Sequence, residues 1–273
     1  MPDLFQSIDT RGVATLTLNR PARHNAFDDG LAAQLTMALR SLAAAGDVRL
    51  VVMRAAGPSF SAGADIGWLE RMSHAPFDEN LADANALAEL MHCLDRLPKP
   101  TVAVVHGAAY GGGVGLAVCC DIALATESAS FSLSEAKLGI IPAVIGPYVT
   151  RAIGARQARR LILTAETVSA VRARELGLVH EVAREGEADA LLEKFIAALL
   201  RCAPGAQAQA KAFVASCAGR LIDEHLVRES ARRLAELRDS AEGREGLRAF
   251  VEKRRPDWSW AGGKRDVSQA PHR

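Results

Sequence analysis

Apolar and polar side chains alternate along residues 14–19, with the two-residue period of a strand that has one buried face. Residues 50–53 and 101–105 are short apolar runs rich in β-branched side chains, which is typical of strands covered on both faces. Between them, apolar residues recur mostly every three or four positions over 81–97, which predicts a helix that ends at Pro98. This pattern predicts an α/β core.

The alternation of strand and helix continues with a strand at 122–124 and a helix after Ser169. Beyond about residue 200 the strand pattern stops. The remaining sequence predicts three helices, at residues 207–216, 221–237 and 240–254. We therefore divide the chain into an α/β core that holds the candidate site, residues 1–200, and a helical C-terminal region, residues 201–273.

The last of these helices has recognisable boundaries. Asp239 followed by Glu242 forms a D-x-x-E sequence that predicts a capped N-terminus, and Pro256 lies just beyond the helix end. Residues 262–273 are polar, and we expect this tail to be frayed.

The composition is that of an ordinary globular protein. The 33 basic and 32 acidic side chains give a formal charge of +1, so there is no electrostatic argument for a nucleic-acid or membrane partner. The N-terminus lacks the features of a secretory or transit peptide, and we expect a cytoplasmic location. Five cysteines without a CxxC pair predict reduced core residues rather than disulfides or a metal site.

Two glycine-rich turns are the candidate sites of chemistry. One, residues 59–66, follows the apolar run at 50–53, and the other, residues 106–115, follows the run at 101–105. Small residues there allow the backbone to approach a ligand, and the free N–H groups of a starting helix donate to an anion. Two such turns that face one point would form an oxyanion hole, although each turn could equally be a tight connection alone. The motifs of P-loop nucleotide hydrolases, GxSxG serine hydrolases and HExxH zinc proteases are absent.

Short recognisable segments are spread along nearly the whole chain, namely 18–21 (LNRP), 25–27 (NAF), 60–65 (FSAGAD), 106–113 (HGAAYGGG), 120–123 (CDIA), 131–135 (FSLSE), 138–142 (LGIIP) and 249–254 (AFVEKR). Together they resemble the enoyl-CoA hydratase/isomerase, or crotonase, family. Each segment is weak evidence alone, but their order and spacing are specific. The resemblance implies a spiral of ββα units with a helical C-terminal trimerisation region, in a homotrimer or a dimer of trimers.

The same resemblance implies binding of an acyl-CoA thioester and stabilisation of the enolate formed when a proton moves at C2. The amides of Ala64 and Gly112 would hold the thioester oxygen. The implied coenzyme A contacts are Arg23, Asn25, Ala26, Ala62, Asp65 and Ile66. The thioester is then the substrate, and no further cofactor or metal is expected.

Glu135 matches one of the two glutamates that hydratases of this family use as acid and base. A carboxyl group beside an apolar acyl pocket suits this role, because burial raises its pKa toward the working pH. The position of the second glutamate is occupied by Gly115, which cannot ionise. We expect Asp121 to make a structural contact rather than to replace it.

A single acid at the Glu135 position is also the arrangement of Δ3,Δ2-enoyl-CoA isomerases. The finer resemblance is to a bacterial branch of methylglutaconyl-CoA hydratases, in which the free carboxylate of a dicarboxylic substrate could supply part of the missing function. Lys137 and Arg71 are candidates to bind that carboxylate. The expected acyl-pocket residues are Trp68, Tyr110, Ser134 and Leu138, and Met72 serves equally well as a wall or as core.

We therefore expect a hydratase for a branched glutaconyl-type CoA thioester. The alternatives are a Δ3,Δ2-enoyl-CoA isomerase, a generalist enoyl-CoA hydratase, and a non-catalytic relative that binds acyl-CoA or RNA. Glu135→Ala separates the enzymes from the binding protein, because only an enzyme has turnover to lose.

Overall fold

The structure is a computed structural model of the 273-residue chain, and it describes residues 2–259. Its strands are β1 (Leu4–Ile8), β2 (Val13–Leu18), β3 (Leu50–Ala55), β4 (Thr101–Val105), β5 (Ala108–Tyr110), β6 (Ile122–Thr126), β7 (Ser130–Ser132), β8 (Thr167–Ser169) and β9 (Glu181–Ala183). Its α-helices are α1 (Asp29–Ala44), α2 (Ile66–His74), α3 (Phe77–Asp95), α4 (Gly112–Cys119), α5 (Gly146–Thr164), α6 (Ala170–Leu176), α7 (Ala188–Leu200), α8 (Pro204–Cys217), α9 (Glu224–Asp239) and α10 (Ala241–Val251). Short 3-10 helices occupy Pro21–Arg23, Glu135–Leu138 and Asp257–Ser259.

The larger sheet has six strands in the order β1-β2-β3-β4-β6-β9. Strands β1 and β2 pair antiparallel, and the other neighbours pair parallel. The predicted strands at 14–19, 50–53, 101–105 and 122–124 are confirmed as β2, β3, β4 and β6. Consecutive parallel strands separated by helices are the expected result of an α/β chain.

Both faces of the sheet are covered because successive side chains of a strand point in opposite directions. In β3, Val51 and Met53 join the main core with α1, α3, α4 and α5. Leu50 and Val52 point the other way and pack against α7. This two-sided burial explains why β3 is a continuous apolar run.

The smaller sheet has three strands in the order β5-β7-β8 and lies next to the glycine-rich turns. Each of its strands has three residues. The sequence analysis predicted none of them, because alternation cannot be recognised over three residues. The antiparallel edge strand β1 was also missed, since four of its five residues are exposed.

The helical C-terminal region contains the three predicted helices as α8, α9 and α10. The predicted cap of α10 is wrong by one residue: Ser240, not Asp239, accepts the amide N–H of Gly243. Glu242 caps a different helix, since its carboxylate accepts from the amides of Gly205 and Ala206 in the first turn of α8. The tail at 262–273 lies outside the described residues.

Arg49, at the start of β3, links the core to the end of the described chain. Its guanidinium donates to the carbonyl oxygens of Cys202 (2.9 Å), Leu200 (3.4 Å) and Trp258 (2.8 Å). Burial lowers the pKa of Arg49, opposed by the charge of Glu242. One side chain therefore contacts three carbonyls that are distant in sequence from it.

The prediction of core cysteines holds for Cys119 and Cys120, which are buried free thiols, but is wrong for Cys202, which is exposed. Burial raises the pKa of Cys120 to about 12, so this thiol is inert. Within residues 2–259, no helix combines the length and apolar character needed to cross a membrane. In the same range, no three His, Cys, Asp or Glu side chains are grouped as ligands for a metal ion.

Candidate active site

The fold brings the two glycine-rich turns into contact. The amide of Ser61 donates to the carbonyl of Ala108, and the amide of Tyr110 donates to the carbonyl of Ser61, both at 2.9 Å. Gly63 and Gly111 have positive φ angles of 94° and 49°, which only glycine adopts readily. A Cβ atom on Gly111 would lie 3.8 Å from the Cα of Gly63. The predicted juxtaposition of the turns is therefore present.

Each turn contains an amide N–H that residues 2–259 leave unused, at Ala64 and at Gly112. Gly112 is the first residue of α4, so its N–H has no acceptor within the helix. Ala64 lies opposite Phe27 in an isolated β-bridge, and its two neighbours form the hydrogen bonds of that bridge. The amide of Phe27 donates to the carbonyl of Gly63, and the amide of Asp65 donates to the carbonyl of Phe27. Across the described part of the chain, neither the Ala64 nor the Gly112 N–H has a protein acceptor. These two donors are available to an anion.

Glu135 lies beside the second turn, at the start of the 3-10 helix that follows β7. A Cβ atom on Gly111 would lie 3.0 Å from Oε1 of Glu135. The other oxygen, Oε2, is buried and has no hydrogen-bond partner. Burial raises the pKa of this carboxyl group, opposed by a backbone hydrogen bond to its own residue, and no charged side chain contributes. A raised pKa suits a group that both accepts and donates a proton.

Gly115 lies in the first turn of α4, three residues after Gly112, and the space beside it is filled. A Cβ atom there would be 2.4 Å from Cγ2 of Ile145 and 3.1 Å from Cε of Met91. Carbon atoms in favourable contact are about 3.5–4.0 Å apart, so no larger side chain fits without displacing Ile145. Both Ile145 and Met91 are buried. These two residues were not predicted from the sequence, because no local pattern relates them to Gly115.

Asp121 makes the structural contact that was predicted for it. It accepts hydrogen bonds from the amide and hydroxyl of Thr101 at 2.8 and 2.9 Å, and Lys211 of α8 forms an ion pair with it at 2.7 Å. Asp121 and Lys211 also line a cavity of about 630 Å³ between the core and α8. Glu135 is not among its lining residues, so this cavity is separate from the candidate site.

Asn25 and Asp65, predicted to contact coenzyme A, use their side chains within the protein. Asn25 is buried with a φ of 54°, accepts from the amide of Arg20, and donates to the carbonyls of Ala56 and Ser59. Asp65 caps α2 by accepting from the amides of Gly67 and Trp68. Both side chains therefore shape the first turn and its approach.

Electrostatic contacts also fix the Asp65 carboxylate. Arg23 and Arg20 pair with it at 3.2 and 3.5 Å. Although burial alone raises the pKa of Asp65, its hydrogen bonds from the Trp68 amide and from Arg23 outweigh burial and hold the pKa below its ordinary value. The guanidinium of Arg23 remains largely exposed.

The other predicted coenzyme A contacts border this segment. The amide of Ala62 donates to the carbonyl of His24, and the buried Ala26 accepts from the guanidinium of Arg20 through its carbonyl oxygen. Ile66 is 83% exposed at the start of α2. An exposed apolar side chain next to exposed Arg23 leaves this edge open to a ligand.

The predicted acyl-pocket residues flank the turns and Glu135. Trp68 is partly buried in the first turn of α2, and its indole N–H donates to Asp83 at 2.8 Å. The hydroxyls of Tyr110 and Ser130 are 3.3 Å apart. Ser134 and Leu138 stand on either side of the Glu135 turn, and Leu138 is 58% exposed.

The remaining candidates differ in their surroundings. Met72 is partly buried in α2. Arg71 forms an ion pair with Asp29 at 2.6 Å, whereas Lys137 is exposed and has no ion pair within the described residues. Lys137 is therefore the freer cation, two residues after Glu135.

Two free amide donors beside a buried carboxyl group of raised pKa are typical of enzymes that stabilise an oxyanion while a proton moves. The chain belongs to the enoyl-CoA hydratase/isomerase family, whose model matches residues 9–261. The predicted α/β crotonase fold is confirmed by the solved structure of an enoyl-CoA hydratase from Shewanella pealeana. That protein is 45% identical with a TM-score of 0.92, over 94% of this chain and 96% of its own.

Curated relatives include both reaction types of the family. A Thermus thermophilus protein that carries an enoyl-CoA hydratase name is 37% identical over 89% of this chain and 96% of its own length. The trans-2-decenoyl-[acyl-carrier-protein] isomerase of Streptococcus mutans is 31% identical over 94% of this chain and 98% of its own.

Proposed function

We propose that this protein adds water to the α,β-double bond of an acyl-CoA thioester, with Glu135 as its acid–base group. The amides of Ala64 and Gly112 hold the thioester oxygen. The observation that carries this proposal is the buried, unpartnered Oε2 of Glu135 beside the Gly111 turn, next to two amides without acceptors.

The proposed steps balance without a further reactant. Glu135 takes a proton from water, and the hydroxide oxygen bonds to C3. The electron pair of the double bond moves to the thioester oxygen, where the two N–H groups stabilise the enolate. Glu135 then returns the proton to C2. Loss of one such donor costs about 2.7–4 kcal/mol of transition-state stabilisation in the best-studied oxyanion hole.

The coenzyme A portion is proposed to lie along the edge formed by Arg23, Asn25, Ala26, Ala62, Asp65 and Ile66. The exposed Arg23 guanidinium supplies positive charge there. The acyl chain is proposed to lie among Trp68, Tyr110, Ser134 and Leu138. The thioester is the substrate, and the proposed chemistry requires no additional cofactor.

The proposed acyl group is 3-methylglutaconyl or a related branched glutaconyl chain. Gly115 carries no carboxyl group and the space at its Cα is closed by Ile145, so this position supplies no second acid, and a carboxylate of the substrate is proposed to help orient water. Lys137 is the proposed cation for that carboxylate, because Arg71 is already paired with Asp29.

A Δ3,Δ2-enoyl-CoA isomerase is the second candidate, and the closed space at Gly115 favours it, because one carboxyl group can move a proton between two carbons. Purified protein should be assayed on 3-methylglutaconyl-CoA, crotonyl-CoA and a 3-enoyl-CoA, with products identified by mass. Hydration of the branched ester at a rate far above that of crotonyl-CoA supports the lead proposal. Migration of the double bond without water uptake supports the isomerase.

Two matched variants test the proposed cation. Lys137→Ala should raise KM for the dicarboxylic ester and leave crotonyl-CoA unaffected, whereas Arg71→Ala should change neither. Equal effects of Lys137→Ala on both esters would contradict the assignment.

A homotrimer or a dimer of trimers is the proposed assembly. Large apolar side chains are exposed in the helical C-terminal region, including Val214, Leu221, Ile222, Val227, Leu234, Leu247, Phe250 and Val251. Burial of such side chains between subunits is favourable. Sedimentation equilibrium measures the assembly directly, and a monomer at micromolar concentration would contradict it.

A further inference from the structure

Helix α2 is weakly anchored and begins two residues after Ala64. None of its side chains is buried. Three polar contacts hold it: the Asp65 cap, the ion pair between Arg71 and Asp29, and the hydrogen bond from Trp68 to Asp83. The backbone at Ala64 is held by the hydrogen bonds of its two neighbours to buried Phe27, whereas the position of Trp68 on α2 depends on these few polar contacts.

The contact between Trp68 and Asp83 links α2 to α3 in a partly buried position. Both residues are partly buried, and the indole nitrogen lies 2.8 Å from Oδ1 of Asp83. By contrast, the side chains of Arg71 and Asp29 are both more than half exposed, and exposed ion pairs contribute little. Trp68 is also in the first turn of α2, close in sequence to Ala64.

The charged groups that act on Asp83 do not give it another strong partner. Asp29 on α1 repels it and Arg71 on α2 attracts it. Burial is the largest influence and raises the pKa of Asp83, opposed by the hydrogen bond from Trp68. Within residues 2–259, Trp68 supplies the one hydrogen bond to this carboxyl group. The geometry of this single contact, with the indole nitrogen 2.8 Å from Oδ1, ties the direction of the Trp68 ring to Asp83.

We propose that Asp83 is a positioning residue, which accepts the indole N–H of Trp68 and thereby fixes the first turn of α2 and the Trp68 wall of the acyl site. This rests on the proposed function, in which Trp68 lines the acyl chain. Misplacement of bound reacting groups by about 1 Å can lower the rate by about 100-fold, so one hydrogen bond that orients this wall has a large effect on turnover.

The test compares Asp83→Ala, Asp83→Asn, Trp68→Phe and the double variant Asp83→Ala/Trp68→Phe, using the ester turned over best by the wild type. Glu79→Gln is the control, because Glu79 is an exposed acid one turn earlier on α3. We expect Asp83→Ala to lower kcat by about ten-fold or more, and Asp83→Asn to remain within about three-fold because its amide oxygen still accepts. The kcat of the double variant should be no lower than that of Trp68→Phe, because the indole N–H that Asp83 accepts is already absent.

Three results would overturn the proposal. The kcat of Asp83→Ala could equal that of the Glu79→Gln control, the kcat of Asp83→Asn could be as low as that of Asp83→Ala, or the two substitutions could lower kcat independently in the double variant. The indole N–H resonance of Trp68, assigned with Trp68→Phe, gives a readout that does not need turnover. It should shift in Asp83→Ala and change little in Asp83→Asn. If the wild type turns over no CoA ester, the proposed function fails, and an unshifted resonance separately rejects the contact.

Discussion

Gly115→Ala tests whether Ile145 closes the space beside Gly115. The new Cβ would lie 2.4 Å from Cγ2 of Ile145, more than 1 Å inside the usual carbon–carbon contact of about 3.5–4.0 Å. Overpacking of this kind costs about 1–3 kcal/mol, and the better helix propensity of alanine returns about 1 kcal/mol. We therefore expect a net loss of about 0–2 kcal/mol for the single variant.

Ile145→Leu removes the methyl branch at Cβ while it conserves volume, and alone it should cost less than about 1.5 kcal/mol. In the double variant the closest contact, with Cγ2 of Ile145, is absent. The remaining contacts, with Cε of Met91 at 3.1 Å and Cβ of residue 145 at 3.2 Å, need shifts of only a few tenths of an ångström, so the propensity gain remains and most of the clash does not. The expected coupling is about 1–3 kcal/mol in favour of the double variant. Urea unfolding of all four proteins at one protomer concentration measures it. Additivity within about 0.5 kcal/mol would refute the reasoning, because the two side chains would then not compete for space.

Three further predictions follow from other contacts. Glu135→Gln should lower kcat by about 10²–10⁴-fold. Burial raises the pKa of Glu135 in the folded state, so ionisation of this group destabilises the fold. The full destabilisation is present at pH values above the folded-state pKa, and there is none at pH values below the pKa of the unfolded state. Glu135→Gln should therefore be more stable than the wild type at neutral pH, by up to about 1.4 kcal/mol for each pH unit by which folding raises the pKa. Thermal melts at several pH values measure this gain, which should disappear toward pH 4. Glu242→Ala should cost about 0.5–2 kcal/mol by uncapping α8, and equal melting of Glu242→Ala and wild type would contradict the cap. Asn25→Ala should cost more than about 2 kcal/mol because it leaves buried backbone groups unpaired, and unchanged denaturant midpoints would count against this.

The main elements of the fold could be predicted because their patterns are long. Strand β4 coincides with the predicted 101–105 run, and helix α3 ends at Asp95, close to the proline that predicted its end. Strand β1 carries too few buried side chains, and strands β5, β7 and β8 are too short, to leave a pattern. The α10 cap was misplaced because Glu242 reaches the amides of another helix, which its sequence position does not reveal.

The candidate site was predictable where residues in one segment act together. The turns around Gly63 and Gly111, and Glu135 after β7, could be named from their motifs. The packing of Ile145 against Gly115 and the hydrogen bond from Trp68 to Asp83 join distant segments through side-chain shape and direction. Neither periodicity nor spacing contains that information, so these contacts required the three-dimensional structure.

The contacts of Arg49 have a consequence for the order of folding. Its partners Leu200, Cys202 and Trp258 lie more than 150 residues after it in the sequence, so each of these contacts closes a long loop. Closing such distant contacts is entropically costly and late. We expect the C-terminal segment to dock last, and protection of the Arg49 region in pulsed hydrogen exchange to lag behind that of β4.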